Sequence, residues 1–337
     1  MRQSKRMAVA LGILLFIALS TPALAQKHHK HGTKDKAANL PAVIWHDPGD
    51  VSLLNLIYGA GGQENAPNPN SIYTFVKEDM EGTSAKFDVK DSQGIRWRVK
   101  LGEEPQAETS ATRLLWAAGY FVDEDYYVAE LKVEGLPKLH RGQNSVSKDG
   151  IVRGARLERK DKEVKKLGNW DWFKNPFRGT KELNGLRVMM ALINNWDLQN
   201  INNAVYVIDG ERRYAVSDVG ATFGKTGNSV SRSKSSLHGY EDSKFIARQT
   251  PTEVDFVMHS RPLLLTVVNV PNYHKRTRIE DVTKHIPRAD AKWLGQRLAL
   301  LSVEQIRDCF LAGGYPPELV EGYTKEVQKR IAELNEL

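Results

Sequence analysis

Cysteine is nearly absent from this sequence of 337 residues, in which Cys309 is the single thiol. One thiol excludes an internal disulfide framework, so the stability of the fold must come from packing. Phe310 and Leu311 follow Cys309 and no histidine adjoins it, so we expect a buried structural thiol and not a nucleophile. With 41% hydrophobic residues, the chain can bury one large core or the cores of two lobes.

Long apolar runs are also scarce. The run from Met7 to Leu19 is shorter than the roughly 20 residues that a membrane-spanning helix needs. It follows three basic residues and precedes the small-residue pattern Ala23-Leu24-Ala25, which is typical of a secretory signal peptide over residues 1–25. We expect a chain exported to the periplasm or secreted, without a membrane span after cleavage; an uncleaved anchor is the alternative.

Positive charges only slightly outnumber negative charges in the sequence. Cleavage would remove the three positive charges of the signal segment and lower the net charge from +7 to +4. This value accommodates an anionic ligand and gives no reason to expect nucleic acid. Residues 26–50 are predicted to be a polar linker, in which His28, His29 and His31 suit a disordered tether better than a transition-metal site.

Several catalytic motifs are missing. The sequence has no His-Glu-x-x-His pair for zinc and no Gly-x-Ser-x-Gly nucleophile elbow. The glycines at 59–62 match neither a Gly-x-Gly-x-x-Gly motif nor a P-loop. A zinc or serine hydrolase of the usual kind is therefore not indicated.

Alternating apolar and polar residues are present instead, and ordered structure is expected to begin near Val51. The alternation predicts three antiparallel strands at Tyr73–Val76, Ala85–Val89 and Ile95–Val99, and two more within residues 125–135 and 150–160. The first connector holds three small residues that let backbone amides approach phosphate oxygens, namely Gly82, Thr83 and Ser84.

The third strand ends in Lys100, and an amphipathic helix over residues 107–121 follows it. A lysine on a strand followed by Glu108 at the start of a helix suggests a buried ion pair. The spacing is tight, so Glu103 or Glu104 is an alternative partner. Taken alone, the two residues have a simpler interpretation. Lys100 would extend its ammonium group to solvent, and Glu108 would be favoured by the dipole at the N-terminus of the helix.

An unusual density of asparagine follows a second apolar helix at about residues 181–193. The segment NNWDLQNINNAVYV, residues 194–207, contains Asp197 and, five residues later, Asn202. A short strand then leads to Asp218-Val219-Gly220. The other asparagines suit helix capping and loop hydrogen bonds, and Asn203 is an alternative to Asn202 as an oxygen ligand.

This order of residues resembles the protein-kinase-like superfamily, and it is closest to the atypical HipA-like, phosphoinositide 3/4-kinase and secretory-pathway branches. Asn195-Trp196-Asp197 stands where most members have His-Arg-Asp, and the resemblance covers about residues 73–224. It implies that Lys100 holds the phosphates of ATP or another nucleotide and pairs with Glu108. It also implies that Asn202 and Asp218 bind Mg²⁺ and that Asp197 orients or deprotonates an acceptor hydroxyl.

Other functions fit part of the same pattern. Asp171, Asp197 and Asp218 could form the acidic cluster of a hydrolase, or the aspartates could simply satisfy the loop backbone. A protein exported from a bacterium meets little ATP, so an inactive pseudokinase that serves as a binding module is the second hypothesis. The acceptor, whether protein or small molecule, is not specified by the sequence.

The remaining segments complete a two-lobed α+β kinase-like fold, with an N-lobe at 51–160 and a C-lobe at 161–337. Residues 225–244 are predicted to be a mobile loop in the place of an activation segment, where Lys225, Arg232 and Lys234 could meet an acidic substrate or a phosphate. Three amphipathic helices are predicted from about Ala289 onward.

Overall fold

A computed structural model describes residues 38–160, 164–227, 230–264 and 269–337. The predicted signal peptide, residues 1–25, and the first part of the predicted linker, residues 26–37, lie outside the described residues. Residues 41–337 form one compact unit. None of the described helices is long and apolar enough to cross a membrane.

Five strands of the first half close into a barrel in the order β2-β3-β4-β6-β5. Their bounds are β2 Tyr73–Asp79, β3 Lys86–Lys90, β4 Arg96–Lys100, β5 Asp125–Glu134 and β6 Ile151–Arg159. Neighbouring strands are antiparallel except β2 and β5, which close the barrel as a parallel pair. All five correspond to strands that the sequence predicts.

The alternation of side chains explains the barrel. Phe87 and Val89 of β3 and Val99 of β4 are fully buried inside it, while the charged residues between them face the other side of the sheet. On that outer side Arg98 Nε donates to Asp88 Oδ1 at 2.9 Å. Period-two alternation of this kind places one face of each strand in the core.

One helix, α1 Pro105–Ala117, packs against the barrel. Proline at its first position needs no hydrogen-bond partner for its nitrogen, so Pro105 is well placed to begin the helix. The helix is buried along most of its length, including Glu108 in its first turn, which is 1% exposed. A buried carboxylate at this position requires a cationic partner.

The second half begins with a small sheet and a buried helix. The sheet has the order β1-β9-β8-β7, with the bounds β1 Ala42–Val43, β7 Lys165–Gly168, β8 Asn203–Ile208 and β9 Glu211–Val216. The helix is α2 Lys181–Leu192, and Thr180 caps it by accepting a hydrogen bond from the backbone N–H of Leu183. The β8–β9 hairpin follows the asparagine-rich segment and ends just before Asp218.

The structure of residues 41–50 shows that one prediction is wrong. They were expected to belong to a polar linker, with order beginning near Val51, but β1 pairs in parallel with β9 and Ile44 is 3% exposed. The indole of Trp45 donates to the carbonyl oxygen of Ala118 at 2.8 Å. The apolar residues of this segment therefore contribute to the core, and ordered structure is already present about ten residues before Val51.

The remaining elements are mostly helical and pack against one another and against the two helices already described. Their bounds are α3 Leu237–Glu241, β10 Ile246–Gln249, β11 Glu253–Phe256, α4 Val270–Asp281, β12 Ile286–Pro287, α5 Arg288–Leu298, α6 Val303–Ala312 and α7 Pro317–Asn335. Helices α5, α6 and α7 confirm the three predicted helices, and a capping box between Ser302 and Gln305 begins α6. Cys309 is fully buried, as predicted.

The prediction of a mobile loop at residues 225–244 is partly wrong. Residues 228–229 lie outside the described residues, but α3 forms at residues 237–241 and Tyr240 is fully buried. Ser236 caps this short helix by accepting from the backbone N–H of Gly239. The predicted two-lobed α+β architecture is confirmed by the closed barrel of the first half and the helices of the second.

Candidate active site

A cavity of about 960 Å³ lies between the barrel and the second half of the chain. Its volume suits a small-molecule ligand. All eight residues predicted to form the site line it, and they are Gly82, Thr83, Ser84, Lys100, Glu108, Asp197, Asn202 and Asp218. The fold thus brings together residues that are widely separated in the sequence.

Lys100, at the end of β4, lies among three carboxylates. Its Nζ is 2.6 Å from Glu104 Oε2, 2.9 Å from Glu108 Oε2 and 3.2 Å from Asp218 Oδ1. We call these four residues the Lys100 cluster. The expected contact with Glu108 is present, and Glu104, an alternative partner, shares the same ammonium group. Glu103 is exposed and forms no ion pair within the described ranges.

Burial and charge act in opposite directions on this cluster. Burial alone would lower the pKa of Lys100, but the charges of Glu108, Asp218 and Glu104 raise it above its ordinary value. Burial likewise opposes the ionisation of Glu104, yet the charge and hydrogen bonds of Lys100 and Lys234 lower the pKa of Glu104 to about 2. Lys100 is therefore a permanent cation beside an ionised Glu104.

Glu108 is harder to ionise than Glu104. Its complete burial raises its pKa to about 8, although the charges of Arg156 and Lys100 act in the opposite direction. Arg156 of β6 lies 3.6 Å from Glu108 Oε2 through Nη1 and 2.9 Å from Asp125 Oδ2 through Nε. The sequence does not reveal Arg156, because an arginine buried between the outer face of a strand and a helix cannot be distinguished by pattern from an exposed one.

The small-residue connector is held against the Lys100 cluster. The hydroxyl of Ser84 donates to Glu104 Oε2 at 3.0 Å, and Arg141 Nη1 donates to the carbonyl oxygen of Gly82 at 2.6 Å. Gly82 has a φ of 69°, a left-handed conformation that glycine adopts without strain. These contacts keep the connector at the wall of the cavity.

The asparagine-rich segment is fixed by hydrogen bonds to the rest of the lobe. Asn194, fully buried at a φ of 52°, donates to the carbonyl oxygen of Gly224 and accepts from Arg330 Nη1 at 2.8 Å. Arg330 of α7 is itself 0% exposed and also donates to the carbonyl oxygen of Leu192. Asn195 Oδ1 accepts from the backbone N–H of Asp197. The asparagines thus hold the loop that presents Asp197.

Asn202 and Asn203 lie in different surroundings. Asn202 lines the cavity, and its side-chain nitrogen donates to the carbonyl oxygen of Asp197 at 2.7 Å. Asn203 is 1% exposed and donates to the carbonyl oxygen of Trp170. The backbone N–H of Asp218 donates to the carbonyl oxygen of Asn202 at 3.2 Å, so these two cavity residues arise from adjacent points of the backbone.

Gly220 is packed against the Lys100 cluster. A Cβ atom at this position would lie 2.8 Å from Cβ of Glu104, closer than packed atoms tolerate. Its backbone N–H donates to Asp218 Oδ1 at 3.1 Å. Glycine in the Asp-x-Gly sequence therefore allows Asp218 and Glu104 to reach Lys100 together.

The acidic cluster considered for a hydrolase is not formed. Asp171 Oδ2 accepts from Asn200 Nδ2 at 2.7 Å and forms an ion pair with Arg278. The described carboxylates that do converge are Glu104, Glu108 and Asp218, whose oxygens lie within 4.8 Å of one another. The Lys100 ammonium lies among them and compensates part of their negative charge.

The far side of the cavity carries a second charged group that the sequence did not indicate. The hydroxyl of Tyr206 donates to Asp123 Oδ1 at 3.0 Å. Burial, followed by the charge of Glu158, raises the pKa of Asp123 to about 7. These residues come from β8, β6 and the turn before β5, so no local pattern could have associated them.

The barrel and α1 supply a lysine–glutamate pair and face a lobe that supplies Asp197, Asn202 and Asp218, an arrangement that defines a two-lobed kinase-like fold. No family model and no curated protein matches the chain. Among solved structures it is similar to the proinflammatory kinase CtkA of Helicobacter pylori, with 11% identity and a TM-score of 0.43 over 79% of this chain and 96% of that one. It is also similar to the Golgi casein kinase, with 10% identity and a TM-score of 0.34 over 96% of this chain and 94% of that one.

Proposed function

We propose that the protein transfers a phosphoryl group from ATP or another nucleotide to a hydroxyl group of a protein or small-molecule acceptor, with Mg²⁺. The observation that carries the proposal is the convergence in one cavity of the eight residues named above. Phosphoryl transfer depends mainly on positioning and on neutralising charge, for which a lysine, hard oxygen ligands and one carboxylate suffice.

In this proposal Lys100 and the connector from Gly82 to Ser84 hold the phosphates of the nucleotide. Asp218 and Asn202 would hold Mg²⁺, because carboxylate and amide oxygens are the ligands this ion prefers and both residues line the cavity. The Asp218 side chain is 44% exposed, which leaves it accessible from the cavity. Bound Mg²⁺ would neutralise negative charge on the phosphates.

Asp197 acts on the acceptor. The acceptor oxygen forms a bond to the γ-phosphorus while the bond from that phosphorus to the bridging oxygen breaks, and the nucleoside diphosphate leaves with the electron pair. The hydroxyl proton passes to the Asp197 carboxylate. Gln199 Nε2 donates to Asp197 Oδ1 at 2.7 Å, which helps to orient this carboxylate.

The first test is the melting temperature of the protein with ATP, in Mg²⁺ and in EDTA. A ligand at 100 times its Kd stabilises the folded state by about 2.7 kcal/mol. We expect a Mg²⁺-dependent rise that Asp218→Ala abolishes and that the control Asp149→Ala, at an exposed turn, retains. No rise with any nucleotide would exclude the transfer reaction and favour the alternative, an inactive pseudokinase that acts as a binding module.

Export is part of the same proposal and rests on the N-terminal sequence. The basic start, the short apolar run and the small-residue pattern at 23–25 together support cleavage. The test is the mass of the protein recovered from the periplasmic fraction and the culture medium. A full-length mass in the cytoplasm would contradict export.

A further inference from the structure

The cavity has a second group of cations, separate from Lys100, near Asp197. Arg232 and Arg261 both line the cavity, as does Trp196, the neighbour of Asp197. Within the described ranges, neither arginine forms an ion pair with a carboxylate. We call Trp196, Arg232 and Arg261 the arginine subsite. Cations at the wall of a cavity attract anionic ligands.

Arg232 is held in a fixed orientation. Its guanidinium carbon lies 3.8 Å from the centre of the Trp196 ring, and Nη1 donates to the carbonyl oxygen of Ser260. Trp196 is itself fixed, because its indole nitrogen donates to the carbonyl oxygen of Ser233 at 2.8 Å. A stacked guanidinium keeps its remaining N–H groups in one plane, which suits two-point binding of a carboxylate or phosphate.

Arg261 adds a second positive charge, which acts electrostatically on Arg232. Burial lowers the pKa of Arg232 below its ordinary value, the charge of Arg261 lowers it further, and Asp197 opposes both effects. The backbone of Arg261 is held by Arg276, whose guanidinium donates to the Arg261 carbonyl oxygen. Two neighbouring positive charges repel each other, and an anion between them would relieve the repulsion.

We propose that the arginine subsite binds an acidic group of the acceptor, so that the accepting hydroxyl lies beside Asp197 and a carboxylate or phosphate of the same molecule contacts Arg232 and Arg261. This inference rests on the proposed transfer reaction, since it identifies the acceptor as an anionic molecule. Clusters of arginine commonly recognise acidic and phosphorylated motifs. The acceptor is therefore a hydroxyl compound or a serine-type side chain with a negative charge close by.

The test is a binding measurement that needs no turnover. A fluorescein-labelled peptide Glu-Glu-Ser-Glu-Glu and its counterpart Gln-Gln-Ser-Gln-Gln are titrated with the protein, and anisotropy is recorded. We expect at least tenfold tighter binding of the acidic peptide. Arg232→Gln and Arg261→Gln should each weaken it five- to tenfold and leave the glutamine peptide unchanged. Arg178→Gln, at an exposed arginine outside the cavity lining, is the matched control and should change neither affinity.

Competition with small molecules separates the two sources of negative charge. Displacement of the acidic peptide by O-phosphoserine at lower concentration than by glutamate would support the subsite and indicate a phosphorylated acceptor. The reverse order would support it and indicate a carboxylate. Arg261→Gln gives an independent result if Arg232→Gln does not fold, as judged by its melting curve.

The outcomes distinguish this inference from the transfer reaction. If nucleotide binds with Mg²⁺ but the two peptides bind equally, the arginine subsite is wrong and the transfer reaction stands. If the acidic peptide binds through the two arginines but no nucleotide binds, the subsite stands as part of a peptide-binding module and the transfer reaction is wrong. Equal loss of peptide binding in Arg178→Gln would also overturn the subsite, because it would show a general effect of surface charge.

Discussion

The Lys100 cluster and the arginine subsite line the same cavity but differ in charge balance. Around Lys100, one ammonium group faces three carboxylates within 3.2 Å. In the arginine subsite, the Arg232 guanidinium contacts the Trp196 ring and the carbonyl oxygen of Ser260, and neither Arg232 nor Arg261 has a carboxylate partner within the described ranges. The carboxylates of the Lys100 cluster have cationic partners in Lys100, Arg156 and Lys234, whereas the arginines of the subsite have no carboxylate partner in the part of the chain that the structure describes.

This difference determines what each group can do before a ligand arrives. The ion pairs of the Lys100 cluster form when the chain folds, so their geometry is set before any ligand binds and contributes to stability. The arginine subsite retains uncompensated positive charge, which favours an anion and gives little stability by itself. Substitutions in the first group should therefore lower stability, and substitutions in the second should lower binding.

The largest effect is expected for Lys100→Met. The change removes the ammonium but keeps most of the length of the side chain, and it leaves Glu104 with Lys234 and Glu108 with the more distant Arg156 as their cationic partners in a buried site. Removing one partner of a buried ion pair costs about 3–5 kcal/mol. Urea unfolding should show this loss, together with loss of the nucleotide-dependent rise in melting temperature. Lys132→Met, at an exposed position of β5, should change neither; equal stability of the two variants would show that the cluster is not preorganised.

A smaller and pH-dependent effect is expected for Glu104→Gln. The pKa of Glu104 is about 2 in the folded protein against an ordinary value of 4.5, so its ionised form stabilises the fold. This contribution is complete above about pH 5 and is lost as the pH falls from 4.5 toward 2. We expect the variant to be less stable by about 2 kcal/mol at pH 7 and as stable as the wild type near pH 2.

The control for Glu104→Gln is its neighbour Glu103→Gln, because Glu103 is exposed. Free energies of unfolding of both variants should be measured between pH 2 and pH 7. A constant difference between Glu104→Gln and the wild type across this range would contradict the ionised pair with Lys100.

Much of the barrel and part of the site could be predicted from the sequence because they depend on local patterns. The strands of the barrel alternate regularly, and turn residues separate them. Lys100, Asp197 and Asp218 could be identified because each follows a recognisable element and their order along the chain is informative. Helix α6 could be predicted because its capping box is encoded within four residues, from Ser302 to Gln305.

What was missed depends on contacts between distant segments. Strand β1 has two residues, too few for an alternation signal, and it forms because β9 offers an edge. Arg156 can be buried because Glu108 and Asp125 compensate its charge, which no pattern within β6 reveals. The sequence leaves the role of Glu104 open because its distance to Lys100 depends on how closely Gly220 approaches Glu104. The proximity of Arg261 to Arg232 also depends on how distant segments of the chain pack together.

A smaller loss of stability is expected for Gly220→Ala. The added Cβ would lie 2.8 Å from Cβ of Glu104, so either the Asp218 loop or the start of α1 must move. Overpacking of this kind costs about 1–2 kcal/mol. Gly168→Ala is the matched control, since a Cβ there meets nothing within 4 Å. Chemical denaturation of both variants measures the difference, and a Gly220→Ala protein as stable as Gly168→Ala would show that the cluster adapts freely.

The smallest effect is expected for Trp196→Phe in the arginine subsite. Phenylalanine keeps a ring beneath Arg232 but stacks more weakly with a guanidinium, and it loses the hydrogen bond to the carbonyl oxygen of Ser233. Because this group binds an anion and adds little to stability, we expect a two- to threefold loss of affinity for the acidic peptide and a nearly unchanged melting temperature. Trp45→Phe is a close control, since the Trp45 indole also donates to a backbone carbonyl and lies near Arg297 but does not line the cavity. A large fall in stability without a change in peptide affinity would reverse the contrast between the two groups, because the arginine subsite would then be structural.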